Sequence, residues 1–160
     1  MNICLIGDGL ISLTLAKALI NKSIKVFMYY KKNQITYNQN RTIGITSNNL
    51  DFFQKEILEI KKDFAWKISE IEIYNEKDKE EKILNFKEPK KKLFSIIKNT
   101  DIINSLNNSL KINKNFKKIK INNKSLYKKI ISNNNFDLII NCDVNNEISN
   151  ISLSIHSLNV

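Results

Sequence analysis

An α/β fold built on a parallel sheet is what this 160-residue chain predicts. Three observations carry the prediction. A short apolar run, residues 2–6, stops at Gly7. A helical pattern of apolar and small residues follows from Leu10. A second apolar run, Val26 to Tyr30, comes after a break at Asn21–Ser23. Strand, tight turn, helix and strand within about 30 residues make one βαβ unit, whose right-handed crossover sets the two strands parallel.

The first run is short and wholly apolar between Ile3 and Ile6, as a strand covered on both faces is. Leu10, Leu13, Leu15, Ala16, Ala18 and Leu19 suit one helix face. In the second run Val26, Met28 and Tyr30 alternate with Phe27 and Tyr29, so both sides are buried. Residues 31–40 read as a polar loop. "RTIGITSNN" then leads into an amphipathic helix from Leu50 to about Ile60, with Ser47 or Asn48 as its cap. Ile68, Ile71 and Ile73, then Ile83, Leu84 and Phe86, predict two short strands around "NEKDKEEK", a solvated hairpin tip. Pro89 and Lys90–Lys92 make a loop. Ile102, Ile103, Leu106 and Leu110 lie at helical spacing, with Asn99 or Thr100 as cap. "FKKIKI" and "FDLIINCD" predict two more strands, and the tail from Glu147 is polar and weakly patterned.

Composition narrows the classes. No apolar run approaches the roughly 20 residues that span a bilayer, and Met1-Asn2 leads into a strand pattern rather than a basic leader. Cys4 and Cys142 each lie in an apolar run, which predicts buried free thiols in a reducing cytoplasm rather than a disulfide. The net charge of +10 rests on 26 basic residues, of which Arg41 alone is arginine. Roughly half the chain is Asn, Lys or Ile, residues with A/T-rich codons, so scattered lysine follows from base composition. Nucleic-acid sites group arginines and aromatic platforms on one face, and specific nucleic-acid binding is therefore not expected. Peripheral contact with an anionic inner-membrane surface is the most that the lysines offer a membrane. No metal-ligand cluster is visible.

The turn between the first strand and helix is the candidate site. Gly7 supplies backbone freedom, and Gly9, without a side chain, admits a pyrophosphate close to the backbone. The amides that open the helix at Leu10 lack intrahelical partners and direct partial positive charge at a ligand. Ser12 takes the third fingerprint position, where close helix–strand packing favours Gly or Ala. An acidic residue normally ends the second strand and binds ribose; here the place falls to Tyr30, or Tyr29 in a register slipped by one. A phenol cannot accept two hydrogen bonds from a diol as a carboxylate does.

"GDGLISLTLAKAL" followed by "RTIGITSNNLDFF" resembles the opening of the FAD-dependent aromatic-ring hydroxylases. The likeness is to the branch of polyprenyl-phenol monooxygenases of ubiquinone biosynthesis, relatives of p-hydroxybenzoate hydroxylase. The resemblance implies a Rossmann-like parallel sheet with helices on both faces and a small additional β-hairpin, the FAD-binding half of the glutathione-reductase type. It implies that Arg41 lies beside the flavin's phosphates, where a bidentate guanidinium exceeds a lysine. Trp66 with "ISEIEIY" looks like a strand region of the family. "FSIIKNTDIINSLNNSL" is similar to the segment before its ribityl helix, which implies a ribityl contact for Asn99. "FDLIINCDVNNEIS" resembles the motif D-G-x-x-S, with Asp143 as the aspartate, Val144 in place of glycine and Glu147 in place of serine.

The resemblance covers residues 1–149, read as one FAD-binding Rossmann-like domain of a shortened family member, with 150–160 as a tail. It implies FAD as cofactor, NAD(P)H as reductant in the full family, and a missing half or a ubiquinone-biosynthesis protein as partner. No catalytic acid or base is visible, and His156 lies in the unpatterned tail. The alternative expectation is a non-catalytic, degenerate Rossmann-like module that binds a nucleotide weakly or a protein partner.

Overall fold

The computed structural model describes residues 1–31, 41–77, 81–87, 93–121, 129–130 and 135–143. Readings placed on 32–40, Pro89–Lys92, Val144, Glu147, His156 and the tail lie outside these residues. The chain divides into two compact units. Met1–Ile35 with Leu106–Val160 forms one, and Thr36–Ser105 forms the other.

The first unit is built on a four-stranded sheet of order β8-β2-β1-β9, comprising β1 (Asn2–Ile6), β2 (Lys25–Lys31), β8 (Phe116–Ile121) and β9 (Leu138–Asn141). Every pairing is parallel. Helix α1 (Leu10–Asn21) joins β1 to β2 and packs on both, burying Ser12, Leu13, Ala16 and Ile20. The βαβ unit, both later strands and the parallel sheet are as expected. Side chains alternate across a strand. Cys4 and Ile6 therefore join Ile121, Ile130, Tyr29, Phe136 and Ile139 in one cluster. Ile3 and Leu5, in register with Val26 and Met28, take the other face, and all four are buried. Both cysteines are free thiols, Cys4 buried and Cys142 half-buried.

The second unit holds a three-stranded antiparallel sheet of order β3-β7-β4, with β3 at Thr42–Thr46, β4 at Ala65–Ile68 and β7 at Phe94–Lys98. Helix α2 (Ser47–Glu56) packs on β3 and β7. The hairpin of β5 (Glu70–Tyr74) and β6 (Lys82–Lys87) is a sheet of its own. Helix α3 (Asn99–Lys111) begins in this unit and ends in the first.

Four local expectations need correction. Residues 42–46 and 94–98 are strands, where the sequence pattern gives a lead-in to a helix for the first and no element for the second; each is only five residues long and gains its structure by pairing with the other. Ile68 belongs to β4, not to the hairpin. The cap of α2 is Thr46, whose hydroxyl accepts from the Asn49 amide at 3.4 Å, so the helix starts before Leu50 and ends at Glu56. Helix α3 begins at Asn99, which makes Asn99 and Thr100 its first residues rather than its cap.

Candidate functional site

The turn between β1 and α1 emerges at the carboxyl edge of the parallel sheet, between β2 and β9. The Gly7 amide donates to the Tyr29 carbonyl at 2.8 Å, and the Cys142 amide donates to the Ile6 carbonyl at 2.9 Å. Both neighbours thus stay hydrogen-bonded up to the turn. After β1 the chain builds outward through β2 and β8, then returns to place β9 on the opposite side of β1. Such a switch point opens a crevice beyond the strand ends, where α/β sheets bind ligands.

The two glycines differ in what requires them. Gly7 has φ +105°, and an added Cβ would sit 3.1 Å from the Cβ of Asp143 and 3.3 Å from its amide nitrogen. Backbone conformation and the approach of the β9 end together demand glycine there. Gly9 has φ −71° and ψ 179°, an ordinary extended conformation, and an added Cβ would meet nothing within 4 Å. The fold leaves Gly9 free to be another residue. The space beside it is open, and it adjoins a helix N-terminus with no side-chain cap and no acidic residue in its first turn. The amides from Leu10 onward are the donors that such a terminus directs outward.

Of the residues singled out from sequence, Gly7, Gly9, Leu10, Ser12, Tyr30 and Asp143 belong to the first unit, and the structure brings Gly7 and Asp143 into contact across 136 positions of chain. The Asp143 amide donates to Asn141 Oδ1 at 3.1 Å, a local turn that shapes the end of β9. Ser12 is fully buried, and its Oγ has no hydrogen-bond partner. Its small size suits the helix–strand contact, but an orphaned buried hydroxyl costs about 1–3 kcal/mol. Register places Tyr29 beside Ile6, so Tyr30 is the residue one step past the end of β1, level with Gly7. Burial, and then the neighbouring Cys4, push the Tyr29 phenol above its ordinary value.

Arg41 and Asn99 belong to the second unit, and they too meet across the chain. The Asn99 amide donates to the Arg41 carbonyl at 2.9 Å, which joins the start of α3 to the residue before β3. Asn99 Oδ1 is buried without a partner. Buried polar atoms are ordinarily hydrogen-bonded, so this oxygen is an exception in the second unit.

Two residues not picked out from the sequence join the first group. Asp8 lies between the glycines, and its carboxylate pairs with the Lys118 ammonium at 3.1 Å. The same ammonium lies 4.7 Å from the ring centroid of Tyr30. Nothing in the sequence marks Lys118 among the many lysines; only the β2–β8 pairing brings it here. Among the described residues there is no cluster of metal-ligating side chains, and no helix is long and apolar enough to cross a membrane.

No family model and no curated protein matches the sequence. Solved structures do match in fold. The p-nitrophenol 4-monooxygenase PnpA from Pseudomonas putida aligns at TM-score 0.58 and 12% identity, over 74% of this chain and 31% of that one. HpxO of Klebsiella pneumoniae, solved with FAD, aligns at TM-score 0.57 and 14% identity, over 74% and 31%. The 2,6-dihydroxypyridine-3-hydroxylase from Arthrobacter nicotinovorans aligns at 0.54 and 14%, over 73% and 28%. The chain spans about a third of the length of these enzymes. It has the mixed α/β fold, with a parallel Rossmann-like sheet, that such flavin monooxygenases carry over that part of their length.

Proposed function

We propose that this chain binds FAD and is the cofactor-holding part of a flavin-dependent aromatic hydroxylase. One observation carries the reading: Gly9 is a glycine that the fold itself does not need, set in open space before an uncapped helix. A diphosphate brought to that backbone accounts for both. In this reading Gly7 makes the turn, Gly9 and Leu10 present backbone to the pyrophosphate, and Asp143 closes the Gly7 side. Tyr30 meets the ribose, Ser12 keeps α1 packed closely on the strand, and the sequence likeness assigns Arg41 and Asn99 to the phosphate and ribityl parts. Bound FAD would supply redox chemistry with NAD(P)H and oxygen. The substrate class implied by the sequence likeness is a polyprenylated phenol of ubiquinone biosynthesis, worked on in the cytoplasm with at most peripheral membrane contact.

The test is FAD titration of the purified chain by calorimetry or flavin fluorescence, with Gly9→Ala beside the natural sequence. Saturable binding is expected, and Gly9→Ala weakens it about tenfold or more, a loss of roughly 1.4 kcal/mol. The same variant leaves the melting temperature within a few degrees of the natural sequence: φ −71° suits alanine and the added Cβ meets nothing, while glycine is the better N-cap. Absence of FAD uptake, or unchanged affinity in Gly9→Ala, overturns the proposal.

A second reading is favoured by the hairpin, where Ile73, Ile83, Leu84 and Phe86 are exposed. In that reading the chain is a non-catalytic module that meets a protein partner, and it fails if FAD with a nicotinamide makes the chain consume oxygen.

A further inference from the structure

The turn that offers its amides to a diphosphate also carries a carboxylate of its own. Asp8 stands between Gly7 and Gly9, where a fixed negative charge opposes an anionic linker at close range and in partly desolvated surroundings. The structure answers that charge from a distant part of the chain. Lys118, in register beside Met28 on β8, extends its ammonium to 3.1 Å from Asp8 Oδ2. The ammonium also lies 4.7 Å over the ring of Tyr30, the side chain at the end of β2 where an acidic residue would otherwise stand. One cation thus touches both the turn and the ribose end of the candidate site. A cation paired with that carboxylate lessens its repulsion of an approaching anion.

We propose that Lys118 is a positioning residue for nucleotide binding: it cancels the Asp8 charge inside the diphosphate turn and holds the Tyr30 ring at the ribose end. The inference rests on the nucleotide-binding reading of that turn and adds a residue to it. Lys118 acts through Asp8 and Tyr30 and is not assigned a bond to the ligand. The proposal places the nucleotide's affinity under the control of a side chain more than 100 positions away from the glycines.

The experiment is a double-mutant cycle on the full chain, with Lys118→Met, Asp8→Asn and the two combined, titrated separately with ADP and with FAD. Lys118→Met is expected to lower ADP affinity about tenfold or more at low salt, with a smaller loss at high salt, where charge is screened. Asp8→Asn binds as well as the natural sequence or better, and the double variant returns to within about threefold of Asp8→Asn. Melting temperatures fall by no more than a few degrees in Lys118→Met, since both side chains keep part of their surface in water, at 28% and 30% exposure. Unchanged affinity in Lys118→Met overturns the proposal, as does a double variant that remains as weak as Lys118→Met. ADP binding without FAD binding sinks the flavin reading while the cycle still decides the role of Lys118. If the natural sequence binds neither probe, both are overturned.

Discussion

At the scale of single residues, the two glycines of the turn separate structure from function. Gly7 is held by geometry: φ +105° and an approach of 3.1 Å from Asp143 Cβ leave no place for a side chain. Gly7→Ala is expected to lower stability by about 1–3 kcal/mol, read as a lower denaturation midpoint. Gly9→Ala leaves stability nearly unchanged while weakening FAD binding, and the contrast between the two is the sharpest residue-level test. Cys4 gives a pH test. Burial pushes its thiol up from 9.0 to about 12, so the folded chain keeps a proton that the unfolded chain releases above pH 9. The unfolded state then binds fewer protons, and stability falls as pH rises from 9 towards 12. Urea midpoints of the natural sequence and Cys4→Ala, followed from pH 8 to 10.5, are expected to diverge, with the natural sequence losing more. Cys4 is also expected to resist thiol reagents in the native state, while half-buried Cys142 reacts first.

At the scale of elements, the hairpin shows how a short ribbon is held without a core. One face carries Ile71, Ile73, Leu84 and Phe86, set opposite each other by register. The other face carries a polar ladder. Lys87 and Asn85 donate to Glu70 at 3.0 and 3.1 Å, Lys82 and Tyr74 donate to Glu72, and Asn75 donates to Glu81 at 2.6 Å. The hydrogen bond from Lys87 holds the Glu70 carboxyl below its ordinary value, and that from Lys82 does the same for Glu72. Depressed carboxyls stabilise the fold above their unfolded value and lose that contribution as pH falls through the folded one. Cross-strand contacts of β5 and β6 are therefore expected to weaken below pH 4.5 before those of the buried parallel sheet, as NMR spectra on an acid titration would show. Glu70→Gln and Glu72→Gln combined remove most of that pH dependence, and either alone removes part of it. The strands β3 and β7 make the complementary point. Neither reads as a strand by itself, and each exists because the other, and β4, pair with it.

At the scale of the whole molecule, charge and architecture set the terms of binding. The net charge of +10 surrounds a site proposed to take a ligand with two phosphates. Long-range attraction of that kind is screened within roughly 3 Å at 1 M salt and within about 10 Å at 0.1 M. FAD affinity is expected to fall several-fold between these conditions while the melting temperature changes little, with titrations in both buffers as the check. The chain spans about a third of the monooxygenases it matches in fold, so hydroxylation as such is part of the proposal rather than of the fold likeness.

What the amino-acid sequence determined by itself is local: the β1–α1–β2 unit, the later strands β8 and β9, the hairpin and α3. Each is legible because its periodicity or its turn chemistry lies within a short window, where side-chain spacing and backbone preference act directly. The candidate turn was legible for the same reason, since Gly7, Gly9 and Leu10 are neighbours in the chain. What only the tertiary structure decided depends on partners far apart: the β8-β2-β1-β9 order, the strands β3 and β7, the pairing of β4 with β7 rather than within the hairpin, the contact of Asp143 with Gly7, and the meeting of Lys118 with Asp8 and Tyr30. A lysine on a strand looks like every other lysine until pairing brings it to a carboxylate. The energy that makes it particular belongs to a contact between two distant parts of the chain, and no short stretch of sequence contains both.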